Sequence, residues 1–266
     1  MSKPDVPLRI ELTFELPGTP EQVWDAIATA AGISSWFIPT DVEEHEGGSI
    51  LFHMGETDSP GTVTGWEPPG RFAYEEPDWA QLASHDPSTV SPMATEFLVE
   101  ARSGGTCVVR VVSSAFGQGA EWEQEFFEEM EQGWAPFFDH LRLYLTHFPG
   151  QTATTLTAEI DVKADALAVA TAMREALGVD RPTQEVEIRG LAGTVETLGE
   201  RQVLVRLDGR VPGYLTLGAY DKGDGVAMAM VAGYLFSAEA SAYVAREQAG
   251  WATWLQGLEV ATLPTS

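Results

Sequence analysis

Few residues in this 266-residue chain are of a type that does chemistry, and they are grouped. All five histidines fall before residue 151. His45 and His53 flank a turn that also holds Glu43, Glu44 and Glu46. Two imidazoles and three carboxylates are enough donors for a divalent cation, yet their spacing matches no ligand motif and reads as a solvated hairpin, so no metal is expected. Cys107 starts a strand among apolar neighbours, where a thiol is inert. As the single cysteine it excludes an internal disulfide and a cysteine-rich zinc site. No Gly-x-Ser-x-Gly elbow and no phosphate-binding glycine loop occurs, and no cofactor is expected. Three acid–base candidates remain: His140, Tyr74 and His53. His140 follows Phe137 by three residues at the edge of an apolar stripe. It either faces a cavity or is a half-exposed helix histidine. Arg110 alternates away from Val109 and Val111 and is expected to pair across strands with Glu96 or Glu100.

Large aromatic and thioether side chains are more telling. Trp36, Phe37, Phe52, Met54, Trp66 and Phe72 form one group, and Tyr74, Phe97, Phe126, Met130, Trp134 and Phe137 a second. Singly, each is an ordinary core residue. Together they offer the wide rings and compliant methionines suited to a pocket for a flat or greasy molecule. The loop Pro77–Pro92 is long and rich in turn-formers, and it is expected to gate the pocket mouth.

The elements that must hold these residues follow from periodicity. Arg9–Leu16 alternates as a strand, and Thr19 caps a helix that begins at Pro20. "AGISSWF" reads as a second short helix. Strands are expected at Asp41–Glu44, Ser49–Met54, Gly61–Trp66, Arg71–Glu76, Ala94–Ala101 and Cys107–Ser114, separated by turn signals. Phe97 and Val99 face one way, Glu96 and Glu100 the other. A helix from about Ala120 to Phe148 places Trp122, Phe126, Phe127, Met130, Trp134 and Phe137 at three- and four-residue steps. Glutamates largely fill its other side, and Pro136 should kink it near Gln132–Gly133.

The chain then repeats itself. Gly133-Trp134-Ala135 returns as Gly250-Trp251-Ala252, and "LTFEL" at Leu12 returns as "LTAEI" at Leu156. The first pair is 117 residues apart and the second 144, so the second copy is about 27 residues shorter. With Pro and Gly in "HFPGQT", the expected domains are residues 1–150 and 151–266. The second has a strand (Thr154–Asp161), a helix (Ala164–Leu177), five further strands between Gln184 and Tyr234, and a closing helix (Ala238–Leu258) capped by Ser237. Nothing in it matches the "GISSWF" helix, and its Ala, Val and Leu lining should fill its interior.

Composition bounds the partners. The net charge is −25, with 25 acidic against 6 basic residues in 1–150 and 15 against 9 in 151–266. Such a chain repels phosphate backbones and anionic lipid, so neither nucleic acid nor membrane is an expected partner. No run approaches the roughly 18–20 apolar residues of a membrane helix, and the N-terminus has no signal-like run. A cytoplasmic protein is expected. Twelve arginines against three lysines, with much Ala and Gly, point to a bacterial source.

Four segments now carry a resemblance: "TPEQVWDAIATAAGISSWFIPT", "EGGSILFHMG", "GTVTGWEPPGRFAYEEPDW" and "GWAPFFDHLRLYL". Over residues 8–148 the chain resembles the SRPBCC (START-like, helix-grip) superfamily, in the branch related to the activator of the heat-shock-protein-90 ATPase. That implies a helix-grip domain over residues 8–148, and the repeat adds a shortened second copy, so an α+β fold of two helix-grip domains is expected, each a curved antiparallel sheet wrapped around a long C-terminal helix. It also implies a hydrophobic cavity under the first closing helix, with the twelve aromatic and methionine residues above as its lining. Three functions fit: a carrier or sensor of a hydrophobic or aromatic small molecule, a co-chaperone or protein-interaction module, and a cyclase- or dehydratase-like enzyme. The first is preferred, a binder rather than an enzyme.

Overall fold

A computed structural model describes residues 5–54 and 57–260. The first four residues of the N-terminal stretch discussed above lie outside them. The chain divides into two compact units, one reaching to Thr152 and one starting at Ala153.

In the first unit, β1 (Val6–Pro17) leads to α1 (Pro20–Ala28) and α2 (Ala30–Ile33). Six strands follow: β2 (Thr40–Val42), β3 (Ser49–His53), β4 (Asp58–Glu67), β5 (Arg71–Glu76), β6 (Met93–Ala101) and β7 (Thr106–Gly117). The long α3 (Glu121–His147) closes the unit. The start of α1 is set by a reciprocal cap: Gln22 N–H donates to Thr19 Oγ1 (3.4 Å) and Thr19 N–H to Gln22 Oε1 (3.0 Å). The sheet order is β1-β7-β6-β5-β4-β3-β2, antiparallel throughout. Consecutive hairpins build six strands, and β1 returns to pair with the last over its whole length, Val6 opposite Gly117 and Pro17 opposite Thr106.

Period-2 alternation gives this sheet one inner face. Phe72, Tyr74 and Glu76 of β5 and Met93, Thr95, Phe97 and Val99 of β6 are all buried. The C-terminal half of α3 packs on β1, where Phe138 stacks on Phe14 at 3.7 Å between ring centroids. The helix is continuous from Glu121 to His147, Pro136 included.

At its start, one expectation fails. Glu123 is buried at 1 % exposure rather than on the solvent side. Its carboxylate accepts from the backbone N–H groups of Gln118 (3.0 Å), Gly119 (2.9 Å) and Ala120 (3.2 Å). Ala120 has no side chain to cap the helix, so Glu123 turns inward and gathers the donors of the preceding turn. A Cβ on Gly117 would overlap that carboxylate.

The second unit runs β8 (Thr154–Val162), α4 (Ala166–Leu177), β9 (Glu185–Ile188), β10 (Leu191–Leu198), β11 (Gln202–Asp208), β12 (Gly213–Gly223), β13 (Val226–Leu235) and α5 (Ala240–Gln256). Its order, β8-β13-β12-β11-β10-β9, is the same scheme with one strand fewer and nothing in the place of α2. Both units are therefore helix-grip domains, α+β in class. The start of α4 falls two residues later than expected because Asp165, accepting from Ala168 N–H at 2.8 Å, is the cap. Ser237 does not cap α5. Glu239 holds the N-cap position without a side-chain bond, while the Ser237 carbonyl accepts from Ala240 N–H at 3.1 Å.

The repeated Gly-Trp-Ala phrase lies on the closing helix of each unit, with both tryptophans buried. Its glycines differ. A Cβ on Gly133 would have nothing within 4 Å. One on Gly250 would overlap the guanidinium of Arg189, which lies 5.6 Å over the Trp251 ring and bonds Glu247 at 2.8 Å. The second core is packed from Val, Leu and Ala, with Trp251 and Tyr243 among its few aromatics.

Candidate functional site

In the first unit, the N-terminal half of α3 stands off the sheet and leaves a cavity of about 240 Å³. Phe126, Met130, Gly133, Trp134 and Phe137 wall it on the helix side. Phe52 and Met54 come from β3 and its end, Tyr74 and Glu76 from β5, Met93 and Thr95 from β6. Phe37 and Ile38, which follow α2, and Leu82 complete it. The rings brace one another: Phe37 stacks on Trp134 (5.7 Å) and meets Phe137 edge-on (4.5 Å), and Phe52 lies 5.3 Å from Tyr74. Met54 is 44 % exposed, which marks the side where the cavity meets solvent.

Eight of the twelve residues expected to line a pocket do so: Phe37, Phe52, Met54, Tyr74, Phe126, Met130, Trp134 and Phe137. Trp36, Phe72 and Phe97 instead surround a separate void of about 10 Å³, with room for one water at most. Trp36 is held there by its indole N–H, which donates to the Ala26 carbonyl at 2.9 Å. Trp66 packs edge-on against Trp24 at 5.0 Å and reaches neither space.

The expected gating loop is folded. It contains two short 3₁₀ turns, Trp79–Ala83 and Pro87–Thr89. Trp79 is fully buried against Phe126 (5.0 Å) and Phe127 (5.6 Å), and its indole donates to the Ser91 carbonyl at 2.9 Å. His85 stacks on Trp122 at 4.0 Å. The loop is thereby fastened to α3, and Leu82 is its contribution to the cavity.

The acid–base candidates separate. Tyr74 lines the cavity, and burial, with the Glu76 charge beside it, raises its pKa well above the usual phenol value. His140 is 4 % exposed, not half-exposed, and lies outside the lining. Its Nδ1 is 3.3 Å from the Trp36 carbonyl, and burial pushes its pKa down to about 4, so the ring is neutral. His53 sits at the outer edge of the sheet, Nε2 2.9 Å from Asp41 and Nδ1 3.3 Å from Asp58. Those carboxylates, Asp41 first, raise its pKa. His45 contacts the Glu46 carbonyl at 3.0 Å. Among the described residues, no three His, Cys, Asp or Glu side chains converge as metal ligands. Arg110 pairs with Glu11 of β1 at 3.1 Å, not with Glu96 or Glu100. β7 lies between β1 and β6, Leu98 faces Arg110 on the β6 side, and Arg71 holds Glu96 at 2.6 Å. Cys107 is buried, and burial raises its thiol pKa.

Among the described residues the cavity wall holds one carboxyl, Glu76, which is not among the sequence-based candidates. It is 6 % exposed, and Ser59 Oγ donates to its Oε1 at 2.6 Å. Burial lifts its pKa to about 7, against the weaker opposing pull of Ser59. The signal was the alternation Phe72, Tyr74, Glu76, which puts the second glutamate of "RFAYEE" on the inner face while Glu75 is exposed. Among the described residues no arginine, lysine or histidine joins it in the lining.

Residues 17–146 match the family described as activator of Hsp90 ATPase homolog 1-like protein. No curated protein sequence matches the chain. Among solved structures, the Aha1 dimer from Colwellia psychrerythraea is similar at 19 % identity and a TM-score of 0.43, over 52 % of this chain and 96 % of its own. The di-domain ARO/CYC protein BexL of the BE-7585A biosynthetic pathway aligns at 13 % identity and 0.44, over 94 % of this chain and 92 % of its own. DynU16, from the dynemicin biosynthetic locus, aligns at 14 % and 0.40, over 95 % and 96 %. The stretch from residue 17 to residue 146, which is the greater part of the first unit, is thus similar to the activator-of-Hsp90-ATPase-homolog-1-like family.

Proposed function

We propose that the first unit binds one small, flat, hydrophobic or aromatic molecule in the cavity under α3 and serves as its carrier or sensor. The observation that carries this reading is the unfilled space itself. A well-packed interior leaves few voids larger than a water, and an apolar cavity of about 150 Å³ already accepts benzene. Here about 240 Å³ stays open between braced rings. Titrating a panel of lipids, flavonoids and aromatic polyketides tests it. Ligand-dependent tryptophan quenching and a raised melting temperature are expected, and no response to any class sinks it.

The family match favours a second reading, activation of a chaperone ATPase through the acidic surface of the first unit. A heat-shock-protein-90 homologue whose ATPase rate is unchanged by this protein removes it. An enzymatic reading, cyclase- or dehydratase-like, would use Tyr74 and Glu76, the two titratable groups at the cavity wall.

A further inference from the structure

The cavity wall is uniform except at one place. On the inner face of β5 and β6, Tyr74 stands opposite Thr95, and Glu76 lies two residues further along the strand. Ser59 of β4 occupies one oxygen of the Glu76 carboxyl. Among the described residues the other oxygen has no hydrogen-bond partner. The described lining from the loop and from the outer part of α3 is apolar, with Leu82, Phe126, Met130 and Phe137. A carboxyl in such a place lacks what a buried carboxylate normally has, a cation or several N–H donors.

We infer that the cavity selects a lipophilic amine, seated with its ammonium against the Glu76 carboxyl and its apolar body among the rings. This rests on the reading that the cavity holds a small apolar molecule. Three observations point to a cation rather than to a neutral or anionic polar group. Among the described residues Glu76 is the only charged side chain in the lining, so an ammonium completes an ion pair that these residues leave half-made. The faces of Phe37, Phe52, Tyr74 and Trp134 lie in the same lining, and aromatic faces attract cations, the more so away from water. Residues 1–150 as a whole carry 25 acidic against 6 basic side chains, a net charge that attracts cations and repels carboxylates and phosphates.

The test uses the full chain and three probes of one shape: naphthylmethylamine, naphthylmethanol and methylnaphthalene, titrated calorimetrically at pH 8. The amine is expected to bind roughly 10- to 100-fold tighter than the alcohol, the range of a charged hydrogen bond. In Glu76→Gln, which keeps the shape and can still bond Ser59, that preference should vanish while the hydrocarbon binds as before. Near pH 7 the amine should also release protons from the wild type and none from the variant. Should Glu76→Gln not fold, the wild type carries the same test, because the preference must shrink as pH falls from 8 to 5. Tyr74 stays neutral throughout that range and, with the hydroxyls of Ser59 and Thr95, completes the polar surroundings of Glu76. Equal affinity for amine and alcohol, or a preference that survives in Glu76→Gln, overturns the inference but leaves the cavity reading standing. Failure of all three probes, the hydrocarbon included, overturns both.

Discussion

Replacing Glu76 by Gln should stabilise the protein at high pH and hardly at low pH, while the wild type conceals the reason. In the unfolded chain the carboxyl titrates at its ordinary value of 4.5, and in the fold at about 7. Between these values the native state binds more protons than the unfolded state, so folding stability falls as pH rises. The cost of burying the charge is nearly absent at pH 4 and complete above 7. A rise from 4.5 to about 7 corresponds to about 3 kcal/mol in full, most of which accrues between pH 5 and pH 8. His140 has the opposite sign. Its pKa drops from 6.5 to about 4, so its contribution is present above 6.5 and lost as pH falls through that window. The two windows overlap, and in the wild type the two slopes largely cancel between about pH 4.5 and 6.5. Urea unfolding of wild type and Glu76→Gln at pH 5, 6, 7 and 8 reads the difference at each pH, which removes every other titrating group. Six of the eight tryptophans lie in the first unit, so their fluorescence reports on it. Gln should gain on the wild type from pH 5 to pH 8, by about 2–3 kcal/mol. A difference that stays level across the series refutes the claim that Glu76 is a buried, uncompensated acid.

Four further outcomes follow. Gly133→Ala should raise the melting temperature, since a helix-interior Ala gains up to about 1 kcal/mol over Gly and its Cβ meets nothing within 4 Å. Gly250→Ala should lower it, because Arg189 must leave Glu247 and the Trp251 face; equal effects at both glycines would refute the assigned difference. Gly117→Ala should cost about 2–3 kcal/mol by displacing the Glu123 carboxylate from its N–H donors, and should be non-additive with Glu123→Gln. Trp134→Phe should cost less than about 1.5 kcal/mol in urea unfolding, because the buried indole N–H it removes has no partner among the described residues; a loss above about 3 kcal/mol would contradict this.

What was legible in the sequence was whatever depends on period and on local caps. The Thr19–Pro20 start, the alternation of β6 and the stripe of α3 each need only neighbours along the chain, and the second sheet follows the first because its landmarks repeat. What was not legible depends on distance across the fold. Trp36, Phe72 and Phe97 share the chemistry of the lining residues, and only the standing-off of α3 decides which rings meet the cavity. Arg110 had acids within reach on two neighbouring strands, and strand order chose Glu11. His140 stands at the edge of its stripe in the sequence, but in the fold it is buried, with its ring against the Trp36 carbonyl in the segment that follows α2. Glu76 was hidden by its type: alternation puts it inside, and a glutamate in an exposed-looking "EE" pair argues for the outside.

The central claim is that one apolar site exists beneath α3, and plugging it tests that claim most directly. Methylnaphthalene titrated into the wild type and into Gly133→Leu, whose new side chain would project into the cavity, separates a real site from surface adsorption. The account predicts saturable, one-to-one tryptophan quenching in the wild type and its loss in the folded variant. Quenching that never saturates, or saturable binding undiminished in Gly133→Leu, would contradict it.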